Sequence, residues 1–590
     1  MAEIKQDIRT ATFVVAADDS IHKNMADYVC TGVNDHVEIQ AAINALPATG
    51  GEVFLLDGTY YIEASLGLDS YQTLRGCGRN TILTTTTADL DIIVATGGAG
   101  TEKVGILIAD LCVDGNAGGA VNDVGILWTY VDYSSIYNVW SLNNGERGIE
   151  LSYSDYNRIE NNTCQGNSTD GIKLDESKNN IIAGNTSQGN TQEGIELTDS
   201  DNNTISDNIC QGNNSHGIDL DSSNGNAISG NVCQGNGNNG IALFTSANNN
   251  TIANNNCSGN DVDGIFLTGT DNNTVSDNIC QLNGARGIHV DALKNNTIIG
   301  NTFILNSQGA DNTHDNIFLA QSDYNLIEGN LCRAPTIGTT LTVGEPIAET
   351  EIAVADTTGF EVGMGVVFDL GNGSGTEEYH RIVAITAGAP GVIVIEVGLT
   401  FIQAVGENID VPEARYGINI SNATCDKNVI IGNDLYNSGK TANFNDVGTL
   451  TMVRDDNRNI DVIQVRHYIY VKNTSGSQRV AGDVVIIKGI ATDIEFTTTV
   501  TQGDDKVYGM VAETIEDDAS GYVLVKGFTA DLKVDGTIDI AIDDILGTFT
   551  TACIAMKAAA GDQGFALALE VYAADDSNGV IDAYIKSPWD

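Results

Sequence analysis

The chain has 590 residues, of which 42% are hydrophobic and 18% charged, a balance typical of a folded protein rather than a disordered one. Asp and Glu number 79 against 28 Lys and Arg, and the resulting net charge of −51 repels nucleic acid phosphates and anionic lipid surfaces. Nucleic acid and membranes are therefore not expected partners. The acidity either keeps the protein soluble or supplies carboxylates for Ca²⁺, and no other metal or cofactor is indicated.

The first predicted element is an amphipathic helix over residues 36–46. The N-terminal segment 1–34 precedes it, and its apolar part, residues 11–17, is short for a signal peptide and has no basic run before it. Because the end of a repetitive sheet needs a cap against edge pairing, we expect the helix to cap a repeat that begins within residues 35–104.

A Gly-Ile pair then recurs at intervals of 23 residues, with one interval of 24. The glycines are Gly125, Gly148, Gly171, Gly194, Gly217, Gly240, Gly264 and Gly287. Most copies continue as Ile-x-Leu, and such alternation is typical of a half-buried strand. An Asn-x-Ile segment and an Asn-x-Cys segment follow in each copy, so three short strands share one repeat.

This repeat predicts an all-β fold, a right-handed parallel β-helix over residues 105–332 and 416–446. Each coil stacks on the previous one and turns its Ile, Leu and Cys columns inward. Asn columns are expected at the corners, where Asn tolerates left-handed backbone and its amide can bond the next coil. The regularly spaced cysteines are interpreted as core thiols, because stacked strands hold neighbouring Cβ atoms about 4.8 Å apart, too far for a disulfide. They are Cys164, Cys210, Cys233, Cys257 and Cys280.

Two segments depart from the repeat. Residues 333–415 contain four of the six prolines and three predicted strands (351–354, 366–368 and 392–397), which indicates an inserted β domain. Residues 447–590 lose the Asn pattern and show alternating segments at 467–472, 482–488 and 521–526, so a separate C-terminal β-sandwich or barrel is expected there.

Residues 35–83 resemble the start of the pectate-lyase-like β-helix superfamily, through Gly50-Gly51-Glu52-Val53-Phe54-Leu55 and Leu74-Arg75-Gly76-Cys77-Gly78. That superfamily includes polysaccharide lyases, glycosidases, alginate epimerases and phage tailspikes, and the Asp-Pro-His motif of the epimerases is absent. The insert is similar to small β modules of phage and bacterial surface proteins, and the C-terminal segment looks like trimeric phage head-decoration domains. The resemblance implies a glycan-related protein of the virion surface and a homotrimer.

Two outward columns of one sheet carry the candidate site. Glu196 and Asp219 lie one coil apart, at a spacing that suits retaining glycosidases, while Asp175 and Asp221 lie two coils apart and suit inverting ones. These four are the catalytic candidates, and crowding would place an acid beside a base. The same carboxylates could instead hold Ca²⁺ or form a solvated acidic face.

The remaining candidates are substrate-binding residues: Glu150, Lys173, Phe244 and Phe266. The two phenylalanines either stack on sugar rings or pack under the insert. His216 and His289 have no partner at a recognisable spacing and are interpreted as turn or surface residues.

Three functions remain open. The first is a virion surface structural protein, a tailspike or head-decoration subunit, whose β-helix binds a host or environmental glycan. The second is a polysaccharide hydrolase or lyase, secreted or carried on a virion, so whether the protein is an enzyme is left open. The third is a non-catalytic cell-surface adhesin.

Overall fold

The computed structural model describes residues 11–116, 123–310, 313–333 and 338–453, the last range with gaps at 341–347, 349, 363, 369–377, 389, 397–407, 413, 436–437 and 449–450. Beyond residue 453 it describes the backbone of the strands alone. The chain divides into two compact units, one of residues 1–318, 333–416 and 439–441 and one of residues 319–332, 417–438 and 442–590. The predicted domain boundaries do not coincide with this division and stay predictions.

The first unit begins with a helical cap. An α-helix over His36–Asn44 buries Ile39, Ala42 and Ile43, and a short 3-10 helix spans Lys23–Met25. Asp35 fixes the start of the α-helix, because its carboxylate accepts hydrogen bonds from the backbone N–H groups of Gly32 at 2.8 Å and Tyr61 at 2.9 Å. This nine-residue α-helix is the only one in the described part of the chain, which therefore holds no membrane-spanning helix.

Each coil of the first unit contributes one strand to each of three parallel sheets. The Ile-Leu sheet contains Leu66–Gly67, Ile93–Thr96, Ile126–Thr129, Ile149–Ser152, Ile172–Asp175, Ile195–Thr198, Ile218–Asp221, Ile241–Phe244, Ile265–Thr268 and Ile288–Asp291. The Asn-Ile sheet contains Tyr28–Val29, Phe13–Ala16, Gly51–Leu55, Gln72–Arg75, Leu107–Ala109, Ser135–Tyr137, Arg158–Glu160, Ile181–Ala183, Thr204–Ser206, Ala227–Ser229, Thr251–Ala253, Thr274–Ser276 and Thr297–Ile299. The Cys sheet contains Gly58–Tyr61, Thr81–Thr84, Cys112–Asp114, Trp140–Leu142, Thr163–Gln165, Thr186–Gln188, Ile209–Gln211, Val232–Gln234, Asn256–Ser258, Ile279–Gln281 and Thr302–Ile304. A two-stranded pair joins Lys103–Val104 to Val131–Asp132.

The stacking places equivalent residues on top of one another, as the repeat predicts. Cys210, Cys233, Cys257 and Cys280 are register partners on successive strands and are fully buried. All four are free thiols. The interpretation of this column as core thiols is confirmed.

The asparagine columns form hydrogen-bonded ladders. The backbone N–H of Asn180 donates to Oδ1 of Asn203 at 2.7 Å, and Nδ2 of Asn180 donates to the carbonyl of Ser154 at 2.9 Å. Asn180 and Asn203 thus each use their acceptor and their donor on neighbouring coils, whereas Nδ2 of Asn226 in the same column has no partner among the described residues. The left-handed backbone conformation occurs one residue earlier than predicted. Asn179 and Asn202, each directly before a ladder asparagine, have a φ of 58°.

The insert is a six-stranded antiparallel unit within the first unit. Its strands are Gly338–Thr340, Glu351–Val354, Gly365–Phe368, Glu378–Thr386, Gly391–Ile395 and Asn408–Asp410. Its apolar core includes Leu305 of the β-helix. Gln308, in the same turn as Leu305, contacts the insert through its Oε1, which accepts a hydrogen bond from the N–H of Gly365 at 2.9 Å. Arg381 donates to the carbonyl of Gly259 at 3.1 Å and to Asp261 at 3.1 Å.

The second unit contains further coils and the C-terminal sheet. Its β-helix strands are Leu326–Glu328, Val429–Ile431, Ala442–Asp446 and Met452–Val453. Three more strands, Ile317–Ala320, Leu331–Arg333 and Tyr416–Ile420, have residues in both units. Leu326 pairs in parallel with Val429, which shows that the coil after the insert stacks on the coil before it. The C-terminal strands form a nine-stranded, largely antiparallel sheet: His467–Asn473, Val484–Gly489, Ile494–Thr498, Gly509–Val511, Ser520–Lys533, Ile545–Thr548, Ala555–Lys557, Ala566–Ala568 and Val580–Ile585. The predicted fold class, all-β with a parallel β-helix, is confirmed.

Candidate functional site

The outer face of the Ile-Leu sheet brings three columns of side chains together. One column holds the outward residue of each Ile-x-Leu strand, in the order Glu150, Lys173, Glu196, Asp219, Ala242, Phe266 and His289. A second follows each Leu and holds Ser152, Asp175, Thr198, Asp221 and Phe244. The third column precedes each Gly and holds Arg147, Asp170, Glu193, His216, Asn239, Asp263 and Arg286. The predicted candidates occupy the first two columns.

Asp170, Glu193, Glu196, His216 and Asp219 form a group that we call the acid cluster. Asp170, Glu193 and Glu196 each offer an oxygen within 4.8 Å of the others, and Glu193, His216 and Asp219 are grouped equally closely. Glu196 and Asp219 are register partners on adjacent strands, as the repeat predicts. The structure therefore joins the two first-ranked candidates with three residues that were not singled out.

Two cations neutralise the edge of the acid cluster. Lys173 Nζ lies 2.8 Å from Glu196 Oε2, so the predicted substrate-binding lysine is held by a predicted catalytic carboxylate. Arg147 lies 3.0 Å from Glu150, 2.6 Å from Glu146 and 3.3 Å from Asp170. Both cations are therefore paired inside the protein.

Burial changes the acidity of two members of the cluster. The pKa of Asp170 is raised to about 8, first by burial and then by the charges of Glu196 and Glu193, which outweigh the nearby Arg147. Burial, followed by the charges of Glu193 and Glu196, also raises the pKa of Asp219 well above its usual range. Two carboxyl groups with raised pKa values thus lie beside further acidic side chains, an arrangement that general acid–base chemistry can use.

Asp175 and Asp221 lie at the border of the cluster. Burial raises the pKa of Asp175, and Lys173 opposes that shift. Asp221 accepts a hydrogen bond from the hydroxyl of Ser222 at 3.1 Å. Their catalytic role stays a prediction.

His216 is a buried member of the acid cluster. It is 6% exposed, and its Nδ1 accepts a hydrogen bond from the N–H of Asn239 at 3.3 Å, with Asn238 Nδ2 3.4 Å from Nε2. Burial lowers the pKa of the His216 imidazole, so the ring stays neutral at pH 7. His216 thus lies in a turn, as the sequence predicts, but it is buried there and hydrogen-bonded.

An aromatic track continues from the cluster along the sheet. It consists of Phe244, Phe266, His289 and Phe318, whose successive ring centroids lie 5.6, 4.7 and 5.1 Å apart. His216 joins its near end, at 5.6 Å from Phe244. The described contacts between the insert and the β-helix include Leu305, Gln308, Gly259 and Asp261. Phe244 and Phe266 contact each other, and each also contacts a histidine.

His289 has a buried carboxylate as its partner. Its Nδ1 lies 3.1 Å from Oδ2 of Asp263, whose side chain is 2% exposed. Arg286 lies 3.8 Å from Asp263 and 4.4 Å from the centroid of Phe318. An Nδ1–H donated to Asp263 leaves Nε2 as the acceptor, so His289 has a partner that the spacing in the sequence did not indicate.

The residues that sequence reasoning missed share one column. Asp170, Glu193, His216, Asp263 and Arg286 all precede the repeated glycine directly. The sequence contains a signal for them, because the position directly before the repeated glycine is ionisable in most copies of the repeat. The repeat does not reveal that this turn folds over the same face as the strand.

The same groups include those that could hold a cation. An oxygen-ligated ion such as Ca²⁺ suits Asp170, Glu193 and Glu196, whereas the imidazole of His216 already has a neighbour at each nitrogen. Elsewhere in the described residues, Cys30, Asp35 and Glu38 are grouped within 4.8 Å, but Asp35 is committed to the helix start. A bound Ca²⁺ stays a prediction.

Comparisons with known proteins agree with the fold. The family model described as periplasmic copper-binding protein (NosD) matches residues 109–255 and 166–333, which is less than half of the chain. A comparison with curated proteins found no significant match.

Solved structures with similar folds have low sequence identity. The mannuronan C-5 epimerase AlgE4 A-module of Azotobacter vinelandii is 20% identical, with a TM-score of 0.44, over 51% of this chain and 91% of that one. The AlgE6 A-module of the same organism is 17% identical, with a TM-score of 0.41, over 72% and 96%. Tailspike protein 3 of bacteriophage CBA120 is 13% identical, with a TM-score of 0.37, over 50% and 54%. Values this low carry no information about activity. The strand register identifies the chain, at the level of fold, as a right-handed parallel β-helix protein.

Proposed function

We propose that this protein binds a polysaccharide along the outer face of its Ile-Leu sheet. The aromatic track is the observation that carries the proposal. Its four rings lie on consecutive strands about 4.8 Å apart, which makes the track long enough for an oligosaccharide rather than one sugar. Ring faces offer apolar contact to the C–H faces of sugars, while the neighbouring carboxyls can accept hydrogen bonds from hydroxyl groups.

The setting that we propose is the surface of a virion, as a tailspike or head-decoration subunit, with a secreted protein as the alternative. The resemblance of the insert and of the C-terminal segment to phage surface and decoration modules supports this setting and a homotrimer. Sedimentation equilibrium tests the assembly, since a trimer has three times the 62.2 kDa mass of one chain.

Replacing Phe266 with Ala tests the binding function. We expect affinity for a bound polysaccharide to fall about tenfold or more, because a lost stacking contact costs roughly 1.4 kcal/mol. Binding is measured by isothermal titration calorimetry after screening a panel of acidic, neutral and amino-sugar glycans. Tyr137→Ala is the matched control, because Tyr137 is 45% exposed on the Asn-Ile sheet, away from the track. Equal losses in both variants, or binding to no glycan, would contradict the proposal.

Polysaccharide cleavage is a second candidate function. The raised pKa values of Asp170 and Asp219, caused first by burial, favour this candidate, because these two groups lie beside Glu193 and Glu196. If the protein cleaves its glycan, reducing ends or unsaturated products accumulate, and Asp219→Asn and Glu196→Gln each lower the rate by about a hundredfold or more. A rate that both variants leave unchanged would remove the acid cluster from catalysis. No release of product from any bound glycan would leave binding alone.

A further inference from the structure

We infer that the polysaccharide carries free amino groups and that the acid cluster binds one of its ammonium groups. This inference rests on the proposed function and names the class of ligand: a polymer of amino sugars that are not N-acetylated. It follows from the charge around the cluster, from an oxygen without a partner and from the position of the cluster beside the aromatic track.

The face around the cluster has a large excess of negative charge. The four coils from Arg147 to Asp221 place twelve side chains in the three columns, and seven of them are carboxyls against two cations. Both cations, Lys173 and Arg147, are already paired with carboxylates of the protein. A ligand that enters here meets uncompensated negative charge, so a uronic acid polymer would be repelled and a cationic one attracted.

One oxygen of the cluster lacks a donor. Oδ1 of Asp219 is closed to solvent and has no hydrogen-bond partner among the described residues. A buried polar atom without a partner costs about 1–3 kcal/mol, and a bound ion is one of the ways in which native proteins satisfy such an atom. Burial, followed by the negative charges of Glu193 and Glu196, raises the pKa of Asp219, which also indicates that positive charge is lacking beside this carboxyl.

The size of the cluster suits a single ammonium group. Tetrahedral N–H donors that reach their acceptors at about 2.8 Å place those acceptors roughly 4.6 Å apart. The ligand oxygens of Glu193 and Asp219 lie within 4.8 Å of each other, while the nitrogens of His216 already have Asn239 and Asn238 as neighbours. Such a group would supply both the missing donor at Asp219 and a charge between the carboxylates.

The aromatic track places a sugar at the right distance. His216 is part of the cluster, and its ring centroid lies 5.6 Å from that of Phe244, where the track begins. A sugar stacked on Phe244 can therefore direct an amino substituent toward Asp219, whose strand neighbours that of Phe244. Stacking on Phe244 would thus hold the sugar ring, and the acid cluster would bind its amino group.

The experiment compares matched ligands that differ in one acetyl group per sugar. Calorimetry of the full chain uses β-1,4-linked and β-1,6-linked glucosamine hexamers and their N-acetylated counterparts, with an oligouronate as the anionic ligand. We expect a free-amine hexamer to bind at least about tenfold more tightly than its acetylated form, and added NaCl to reduce the difference. Asp219→Asn and Glu193→Gln should each abolish the preference and keep the melting temperature within a few degrees.

Asp199→Asn is the control for net charge, since Asp199 is exposed in the turn after the strand that carries Glu196. This variant should keep the preference. Equal affinity for free and acetylated hexamers, tighter binding of the oligouronate, or binding that EDTA removes and Ca²⁺ restores would each overturn the inference. If the acetylated and free-amine hexamers bind equally well, and Phe266→Ala weakens the binding of both, the proposed function stands while the amino-group inference fails. Binding of no glycan would remove both.

Discussion

Asp170 is the most enclosed carboxyl of the acid cluster, with a side chain that is 1% exposed. Burial and the charges of Glu196 and Glu193 raise its pKa to about 8, far above the ordinary value of an aspartate near 3.9. Between those two pH values the folded protein holds a proton that the unfolded chain releases. Its contribution to folding is therefore present at low pH and is lost as the pH rises through the folded pKa.

Replacing Asp170 with Asn should remove this dependence. The amide keeps an acceptor for the N–H of Glu193, which now donates to Asp170 at 3.2 Å, but it cannot ionise. At pH 5 we expect the variant and the wild type to melt at similar temperatures. At pH 9 the variant should be more stable, by a free energy of unfolding on the order of a few kcal/mol.

Differential scanning calorimetry across that range measures the effect. The exposed Asp199→Asn variant serves as the control and should show no pH-dependent gain. A pH dependence that Asp170→Asn leaves unchanged would show that Asp170 titrates normally in the folded state.

At the scale of one turn, two adjacent asparagines have different tasks. Asn202 adopts the left-handed backbone, and the same position in the next coil is occupied by Gly225, with a φ of 67°. Asn203 joins the ladder: its Oδ1 accepts from Asn180, and its Nδ2 donates to the carbonyl of Ser177 at 3.0 Å. One residue sets the direction of the chain and the next one satisfies buried backbone groups.

The pair permits a matched test of the ladder. Asn203→Ala leaves the N–H of Asn180 and the carbonyl of Ser177 unsatisfied in the interior, which should lower the free energy of unfolding by roughly 2–4 kcal/mol. Asn202→Gly should change it by less than about 1 kcal/mol, because glycine adopts positive φ without strain. Chemical denaturation followed by circular dichroism distinguishes the two, and equal effects would contradict this division of tasks.

The strands of the β-helix were predictable because the repeat is short and strict. Ile195 and Leu197 must point inward if Ile172 and Leu174 do, since a register error of one residue would expose every apolar side chain. The same reasoning placed Glu196 beside Asp219, which the register confirms. It did not reach Glu193 or His216, because they lie in the turn, where side-chain direction depends on the course of the loop rather than on alternation.

At the scale of the whole molecule, an excess of negative charge coexists with an interior of apolar columns and hydrogen-bonded asparagine ladders. The net charge of −51 is carried outside, while the three sheets enclose columns of Ile, Leu, Cys and hydrogen-bonded Asn. A solenoid tolerates this because each coil depends on its two neighbours, so the outer residues of a single coil can change without disturbing distant ones. The insert follows the same logic: it leaves the β-helix after Leu331–Arg333 and the coil beyond it still pairs with the coil before.

The thiol column has a consequence for where such a protein can exist. Cys210, Cys233 and Cys257 are stacked without disulfide bonds, and hydrogen bonding among neighbouring thiols, followed by burial, raises their pKa values well above the usual range. A thiol that does not ionise neither attacks a disulfide nor reacts readily with oxidants. This β-helix can therefore be assembled in a reducing cytosol and then exposed to air or to an oxidising medium, with no cross-link to form and none to break along that column.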